Sequence, residues 1–362
     1  MANGQFFVDR IKKAWDDGDA VFPLEQNLPS ARRNVVLAAT KPTIVATELG
    51  DTRISGTFVE SGDAVVMCTS GTTGQPKAVI LTHTAIAASA VATSRRLGVT
   101  ASDTWFACLP PSHIGGFSVI LRSLVIGTPL ITAPQFTVDS YNDAAKRGAT
   151  LVSLVPTALQ RINASLFRKI LLGGARPPID RPPQCVTTYG LTETGSGIVY
   201  DSIPLDGIEI EIRGGVVYVR GPMLLRGYRD GVVPLDPQGW FRTGDRGSID
   251  EHGKLTVDGR EGDLIITGGE NVWPELVEQV LIHHPHIVDV CVAGVTDKKW
   301  GQSVHAWIVS DQESISLEEV RDFVKQSLPA YCAPQHVHFT TAIPRTSLGK
   351  PQRHTLVSLL PS

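Results

Sequence analysis

The chain has 362 residues, 42% hydrophobic and 19% charged, with a formal net charge of −3. That supports a large lobe plus a smaller one and gives no electrostatic basis for nucleic acid or an anionic membrane as partner. The five cysteines (68, 108, 185, 291, 332) are odd in number and never form a CxxC pair, which excludes a disulfide framework or zinc site as the organising device.

A reducing cytoplasm fits the scattered cysteines. No apolar run approaches the roughly 18 residues of a membrane span, and acids occupy the N-terminal stretch where a signal peptide needs its apolar region. The expected location is therefore cytoplasmic and the expected ligand small. The first 60 residues carry no clear pattern. From residue 64 to 190, apolar runs alternate with helical patterns in the order of a parallel sheet. Strands are predicted at 64–68, 104–109, 150–155, 169–174 and 185–189. Helices are predicted at 84–97 before Gly98, at 116–126 before Gly127 and at 139–147 before Gly148. This is a doubly wound α/β lobe. After residue 205, β-rich segments at 208–212, 214–219 and 253–259 predict a small appended β subdomain. Past Gly259 an α+β pattern follows, with a helix opening at Pro274, strands at 287–295 and 303–309, and a helix at 316–327. The expected domains are 1–260, with its N-terminal region shortened, and 261–362.

The stretch Thr69 to Ala78 places Gly71 and Gly74 among the hydroxyls of Thr69, Ser70, Thr72 and Thr73, with Lys77 close behind. The glycines let backbone N–H groups turn inward, and hydroxyls and lysine add donors suited to phosphate oxygens. No Gly-Lys-Ser/Thr closes the loop, so it is not a Walker A motif. The plain alternative is a Gly/Thr turn between strand and helix; the number of donors favours phosphate.

TSGTTGQPK resembles the phosphate loop of the adenylate-forming superfamily, which includes acyl-CoA synthetases, luciferases and peptide-synthetase adenylation domains. Downstream, YGLTET (189–194), GWFRTGD (239–245), GREGDLIITGGENVWPELVE (259–278) and PRTSLGKPQR (344–353) resemble its adenine-and-magnesium, ribose, hinge and catalytic-lysine segments, in the superfamily's order. The resemblance implies that Tyr189 and Gly190, with the bare backbone of Gly173, Gly174 and Ala175, receive the adenine. It places Thr192 on the α-phosphate, Glu193 on Mg²⁺, and Asp245 with Arg260 on the ribose. Lys350 enters the site on a mobile lid that pivots at Gly262, where relatives carry Asp or Lys. The implied reaction joins a carboxylic acid to AMP from ATP and then to a thiol such as coenzyme A. No protein nucleophile is required; metal, lysines and donors position and stabilise charge.

IITGGENVWP and LPPSHIGGFSVILRSLVIG resemble segments of the 2-succinylbenzoate–CoA ligases of menaquinone synthesis, and YGLTETGSGIVYDSIPLDG resembles their short actinobacterial-type members. This resemblance implies an acid-binding pocket containing His113, Arg122 and Ser196. A second carboxylate that stays ionised needs a cation or several donors, and the planar fork of Arg122 suits it. On the residues alone, Arg122 is equally an arginine on the exposed face of its helix, and His113 a loop-end histidine. A ligase for another aryl or short-chain acid, a carrier-protein loader and a nucleotide-binding sensor are the alternatives. The histidines at 283, 284 and 286 read as groups at the negative end of a helix rather than as metal ligands. Oligomeric state is not legible.

Overall fold

The computed structural model describes residues 4–26, 28–69, 76–175, 180–311, 315–345 and 351–360. The chain forms two compact units. Unit 1 comprises Met1–Glu211, Tyr218–Thr243 and Glu251–Leu255, and unit 2 comprises Ile212–Val217, Gly244–Asp250 and Thr256–Ser362.

Unit 1 opens with α1 (Gln5–Asp16), α2 (Ser30–Thr40) and a small hairpin of β1 (Ile44–Thr47) and β2 (Gly50–Arg53). β3 (Asp63–Thr69) and β4 (Lys77–Thr82) then pair antiparallel, with Thr69 opposite Lys77. Here the expectation is corrected. The run at 64–68 is not part of the parallel sheet but joins β4 and a later strand in a separate three-stranded sheet. The run at 79–81 is itself a strand. A short turn returns the chain antiparallel, whereas a parallel neighbour requires a crossover of a dozen or more residues.

α3 (His83–Leu97) is capped by Thr82, whose Oγ1 accepts from Ala85 N at 3.1 Å, and it stops at Gly98 with φ 58°. β5 (Trp105–Ala107), α4 (Ile114–Ile126), β6 (Leu130–Thr132), α5 (Val138–Lys146), β7 (Leu151–Leu154), α6 (Pro156–Leu159), β8 (Lys169–Leu172), β9 (Cys185–Leu191), β10 (Ser196–Tyr200) and β11 (Ile203–Pro204) follow. The sheet order is β11-β10-β9-β8-β7-β5-β6. It is parallel from β6 to β9 and antiparallel at β10 and β11. One face packs Phe106, Val152, Leu154, Ile170 and Leu172 against Tyr141 and Ala144 of α5. α4 lies against β5 and β7 and pairs with α3. Helices therefore cover both faces, as the alternating pattern predicts. The chain enters the sheet at β5 and grows outward in both directions, which puts a switch point beside β5 and β7. In such sheets ligands bind outside the carboxyl ends of the strands.

β12 (Glu209–Arg213), β13 (Val216–Arg220), β15 (Phe241–Ile249) and β16 (Leu255–Arg260) form a four-stranded sheet in the order β12-β13-β15-β16, and β14 (Gly227–Tyr228) pairs with β4. In unit 2, β17 (Ile265–Thr267) and β18 (Glu270–Val272) make a hairpin before α7 (Pro274–Leu281), β19 (Ile287–Asp297), β20 (Gly301–Ser310), α8 (Leu317–Lys325), β21 (His336–Phe339) and α9 (Arg353–Ser358). The sheet runs β18-β17-β20-β19, with β21 parallel to β20. Val277, Leu281, Val320 and Val324 of the two larger helices cover one face through Val290, Val292, Val304 and Ala306; Leu356 of α9 packs on the other with Cys291, Ala293 and Trp307. His283 Nδ1 lies 2.7 Å from Gln279 O, satisfying a last-turn carbonyl as expected of a helix end. Among the described residues no helix is long and apolar enough to cross a membrane.

Candidate functional site

Seven of the sequence-predicted residues of unit 1 lie at the carboxyl ends of β8 and β9. Gly173, Gly174 and Ala175 follow β8, Tyr189 and Gly190 end β9, and Thr192 and Glu193 form the turn between β9 and β10. Two of the glycines are set by close approach. A Cβ on Gly190 would lie 2.1 Å from Ser196 O, and one on Gly173 would lie 2.7 Å from Thr188 Oγ1. Ser70, Gly71, Thr72, Thr73 and Gly74 lie outside the described residues; Thr69 and Lys77 are the paired ends of the hairpin that carries them.

Lys77 and Glu193 are linked by a residue the sequence reading missed. Lys77 Nζ stands 5.1 Å from the ring centroid of Tyr228, and Tyr228 Oη donates to Glu193 Oε1 at 3.2 Å. Tyr228 is 7% exposed and pairs with Val79 in the sheet. The ring therefore holds a cation against its π face and a carboxylate at its hydroxyl. Nothing in the sequence around Tyr228 distinguishes it from a core tyrosine; only the pairing of β14 with β4 brings it here. Among the described residues no group of three or more His, Cys, Asp or Glu could hold a metal ion. One carboxylate at Glu193 beside a phosphate loop still suits Mg²⁺, a hard cation that takes few protein carboxylates and completes its octahedron with phosphate oxygens and water.

Arg122 is on α4 and only 3% exposed, which removes the exposed-face alternative. Its Nη2 donates to Ser196 Oγ at 2.5 Å, and Ser196 Oγ donates to Ser118 Oγ at 3.2 Å. Its guanidinium carbon lies 5.7 Å from the ring centroid of Trp105, which the sequence reading did not single out. Arg122 Nε and Nη1 and Trp105 Nε1 are buried without a hydrogen-bond partner among the described residues. Ser196 is held at φ 152°, where few residues other than glycine sit. Thr194 Oγ1 fixes it by donating to Ser196 O at 2.7 Å, so its hydroxyl is presented to Arg122 at a cost in backbone strain. A cavity of about 10 Å³ is lined by Ser89, Ser118, Leu121, Arg122 and Gly195 among others. His113 occupies the N-cap position of α4, with no capping hydrogen bond from its side chain. It stands nine positions before Arg122, about 13 Å of backbone rise along a helix axis.

In unit 2, Asp245 and Arg260 come together as expected. Asp245 is 6% exposed, and Arg260 Nε lies 2.9 Å from its Oδ1. The arginine orients a carboxylate able to accept from two vicinal hydroxyls. Gly262 sits in a 3₁₀ turn at Glu261–Asp263, and a Cβ there would meet nothing within 4 Å. Its φ is not among the positive values, so this conformation does not itself demand glycine. Lys350 lies outside the described residues.

The AMP-binding enzyme family matches residues 59–229, and the AMP-binding enzyme C-terminal domain matches residues 276–350. A 2-succinylbenzoate–CoA ligase of Bacillus anthracis is 35% identical over 336 residues, covering 82% of this chain and 70% of that one. This chain belongs to the AMP-binding enzyme family. Another member, a 2-succinylbenzoate–CoA ligase of Bacillus licheniformis, is 35% identical over 332 residues, with 81% of this chain and 69% of the relative covered. Among solved AMP-binding enzymes, the o-succinylbenzoate CoA synthetase of Bacillus subtilis in complex with the acyl-adenylate intermediate OSB-AMP superposes with a TM-score of 0.75 at 33% identity, covering 84% of this chain and 71% of that one. The same synthetase in complex with ATP and magnesium ion gives 0.74 at 32% identity, covering 84% and 73%.

Proposed function

We propose that this AMP-binding enzyme activates 2-succinylbenzoate with ATP and passes the acyl group to coenzyme A, a cytoplasmic step of menaquinone synthesis. In the first half-reaction a carboxylate oxygen bonds to the α-phosphorus of ATP and pyrophosphate leaves. In the second, the thiol sulfur bonds to the acyl carbon and AMP leaves with the bonding electron pair. The loop from Thr69 to Lys77 cradles the polyphosphate, Thr192 donates to the α-phosphate, and Asp245, oriented by Arg260, accepts from the ribose hydroxyls. Mg²⁺, when bound at Glu193, neutralises phosphate charge. Tyr228 orients that carboxylate and holds Lys77 nearby. Residues 261–362 act as a lid turning at Gly262, and Lys350 on this lid stabilises the charge that develops during adenylation.

The observation that supports this acid is Arg122. A guanidinium 3% exposed, with Nε and Nη1 unpartnered among the described residues, is costly unless an anion or its hydration completes it. A ring carboxylate that stays ionised supplies that anion. The cavity of about 10 Å³ admits at most one water, so the carboxylate reaches Arg122 through a bridging water or after Ser196 turns.

The test is pyrophosphate release with 2-succinylbenzoate and with 4-oxo-4-phenylbutanoate, which lacks the ring carboxylate. Arg122→Ala is expected to lower kcat/KM for the first acid roughly 30-fold or more, the loss of a charge pair worth about 2–5 kcal/mol, and to leave the already poor second acid nearly unchanged. Equal losses on both acids would assign Arg122 to support of the helix. Preference of the parent for another aryl or short-chain acid, or for a carrier-protein thiol, would retain the adenylation chemistry and replace the substrate.

A further inference from the structure

Unit 2 contains a half-buried polar cluster that has no part in the roles above. Arg353, in the first turn of α9 with a side chain 15% exposed, donates from Nε to Val292 O of β19 at 2.9 Å. Its Nη2 donates to both oxygens of Glu278 on α7, at 2.9 and 3.0 Å, and lies 3.1 Å from Glu275 Oε1. Its Nη1 lies 3.7 Å from the carboxylate of Asp263, the residue after Gly262. Val292 N donates to Glu278 Oε1 at 2.8 Å. One planar fork therefore joins four pieces of chain: the turn after Gly262, α7, β19 and α9. The upstream stem is tied to the same strand, since Arg345 donates to Asp289 from Nη2 at 2.5 Å and from Nε at 3.3 Å. Arg345 and Pro351 are bridge partners, and Gln352 N donates to Pro344 O at 2.8 Å. The chain on either side of residues 346–350 is thus pinned to β19, and its downstream pin also reaches the turn after Gly262.

We propose that Arg353 is a positioning residue for acyl-AMP formation, fixing the downstream end of the segment that bears Lys350 against β19, α7 and Asp263. The proposal rests on the role given to Lys350 above. A lysine is a long, flexible point charge, so where its backbone begins decides whether its ammonium reaches the reacting atoms. A displacement of about 1 Å in such a group costs on the order of 100-fold in rate. An ion cluster that only held unit 2 together would change both half-reactions alike.

Arg353→Lys keeps a cation among the carboxylates but cannot hold Val292 O and Glu278 with one rigid fork. Acyl-AMP formation by this variant is expected to fall at least about 10-fold with little change in KM for ATP, while thioester formation from supplied acyl-AMP and coenzyme A stays within about 2-fold. Hydrogen–deuterium exchange of the peptide covering 344–352 is expected to rise while that of β20 does not. Parallel loss of both half-reactions, or unchanged acyl-AMP formation in a folded variant, overturns the proposal. Glu278→Gln keeps the shape and weakens the same clamp. It is expected to show the same split to a smaller extent, and it decides the matter if Arg353→Lys does not fold. Lys350→Ala is the reference. If it retains acyl-AMP formation, the role of Lys350 fails by itself, and unchanged peptide exchange in the Arg353 variant separately removes the pinning role.

Discussion

Arg122 in unit 1 is buried and Arg353 in unit 2 is half-buried, and the two guanidinium groups are held in opposite ways. Around Arg122 the partners are one hydroxyl, Ser196, and the face of Trp105, with two of its nitrogens unpartnered among the described residues. Around Arg353 stand Glu278, Glu275 and Asp263 together with the carbonyl of Val292. Burial alone would lower the pKa of Arg353, but the charges of Glu278 and Glu275 outweigh it and raise it. A cation compensated by its own chain belongs to the architecture. A cation left short of acceptors in an otherwise well-packed lobe has no such compensation from its own chain.

The contrast breaks most readily at Arg353. Arg353→Met leaves half-buried carboxylates without their partner and is expected to destabilise unit 2 by about 2–3 kcal/mol, read as a lower denaturant midpoint for that unit. A change within about 0.5 kcal/mol would mean that the cluster contributes nothing net to folding.

At Arg122 the opposite sign is expected. Arg122→Met replaces a poorly compensated charge by an apolar chain of similar length and is expected to stabilise unit 1 by about 1–2 kcal/mol while lowering turnover of 2-succinylbenzoate. Loss of stability there would show that the Ser196 hydrogen bond and the Trp105 contact already satisfy the guanidinium.

A third contrast separates the units by pH. In unit 2, burial raises the carboxyl of Glu278 to about 7 despite the nearby charge of Arg353. Its folded pKa is above the unfolded value, so its contribution is lost as pH rises from about 4.5 through 7. His305 is lowered to about 4, first by burial and then by His336 and His338. Its Nδ1 lies 2.8 Å from His338 Nε2 and its Nε2 lies 3.0 Å from Ser303 Oγ. Its contribution is present above about 6.5 and lost as pH falls toward 4. In unit 1, burial would raise Asp103, but hydrogen bonds from Arg168, Thr150 and Thr100 prevail and hold it at about 2. That contribution is present above about 4 and lost only as pH falls toward 2. Hydrogen exchange followed separately for β20 and β7 is expected to show unit 2 responding between pH 4 and 7 and unit 1 responding below pH 4. Glu278→Gln should remove the upper limb alone. A single common profile for both units would refute the distinction.

The sequence by itself determined the family, four parallel-sheet strands between 104 and 189 with the helices ending at Gly98 and Gly127, and the helix–strand–strand–helix series from Pro274 to about residue 327. Its cues are local: hydrophobic periodicity, glycines at 98 and 127 that end helices, Pro274 at a helix start, and motif residues whose chemistry depends on spacing along a few residues of chain. It misassigned the strand at 64–68 and overlooked the one at 77–82, because a strand's partner is a property of two distant edges, not of either run alone. Tertiary structure alone decided that Arg122 is buried on Ser196, that Tyr228 stands between Lys77 and Glu193, and that Arg353 joins Asp263 to Glu278. Each of these depends on contacts between residues 35 to 151 positions apart. Burial and charge compensation are set by what packs around a side chain, and that enclosure exists only once the sheets and helices have closed.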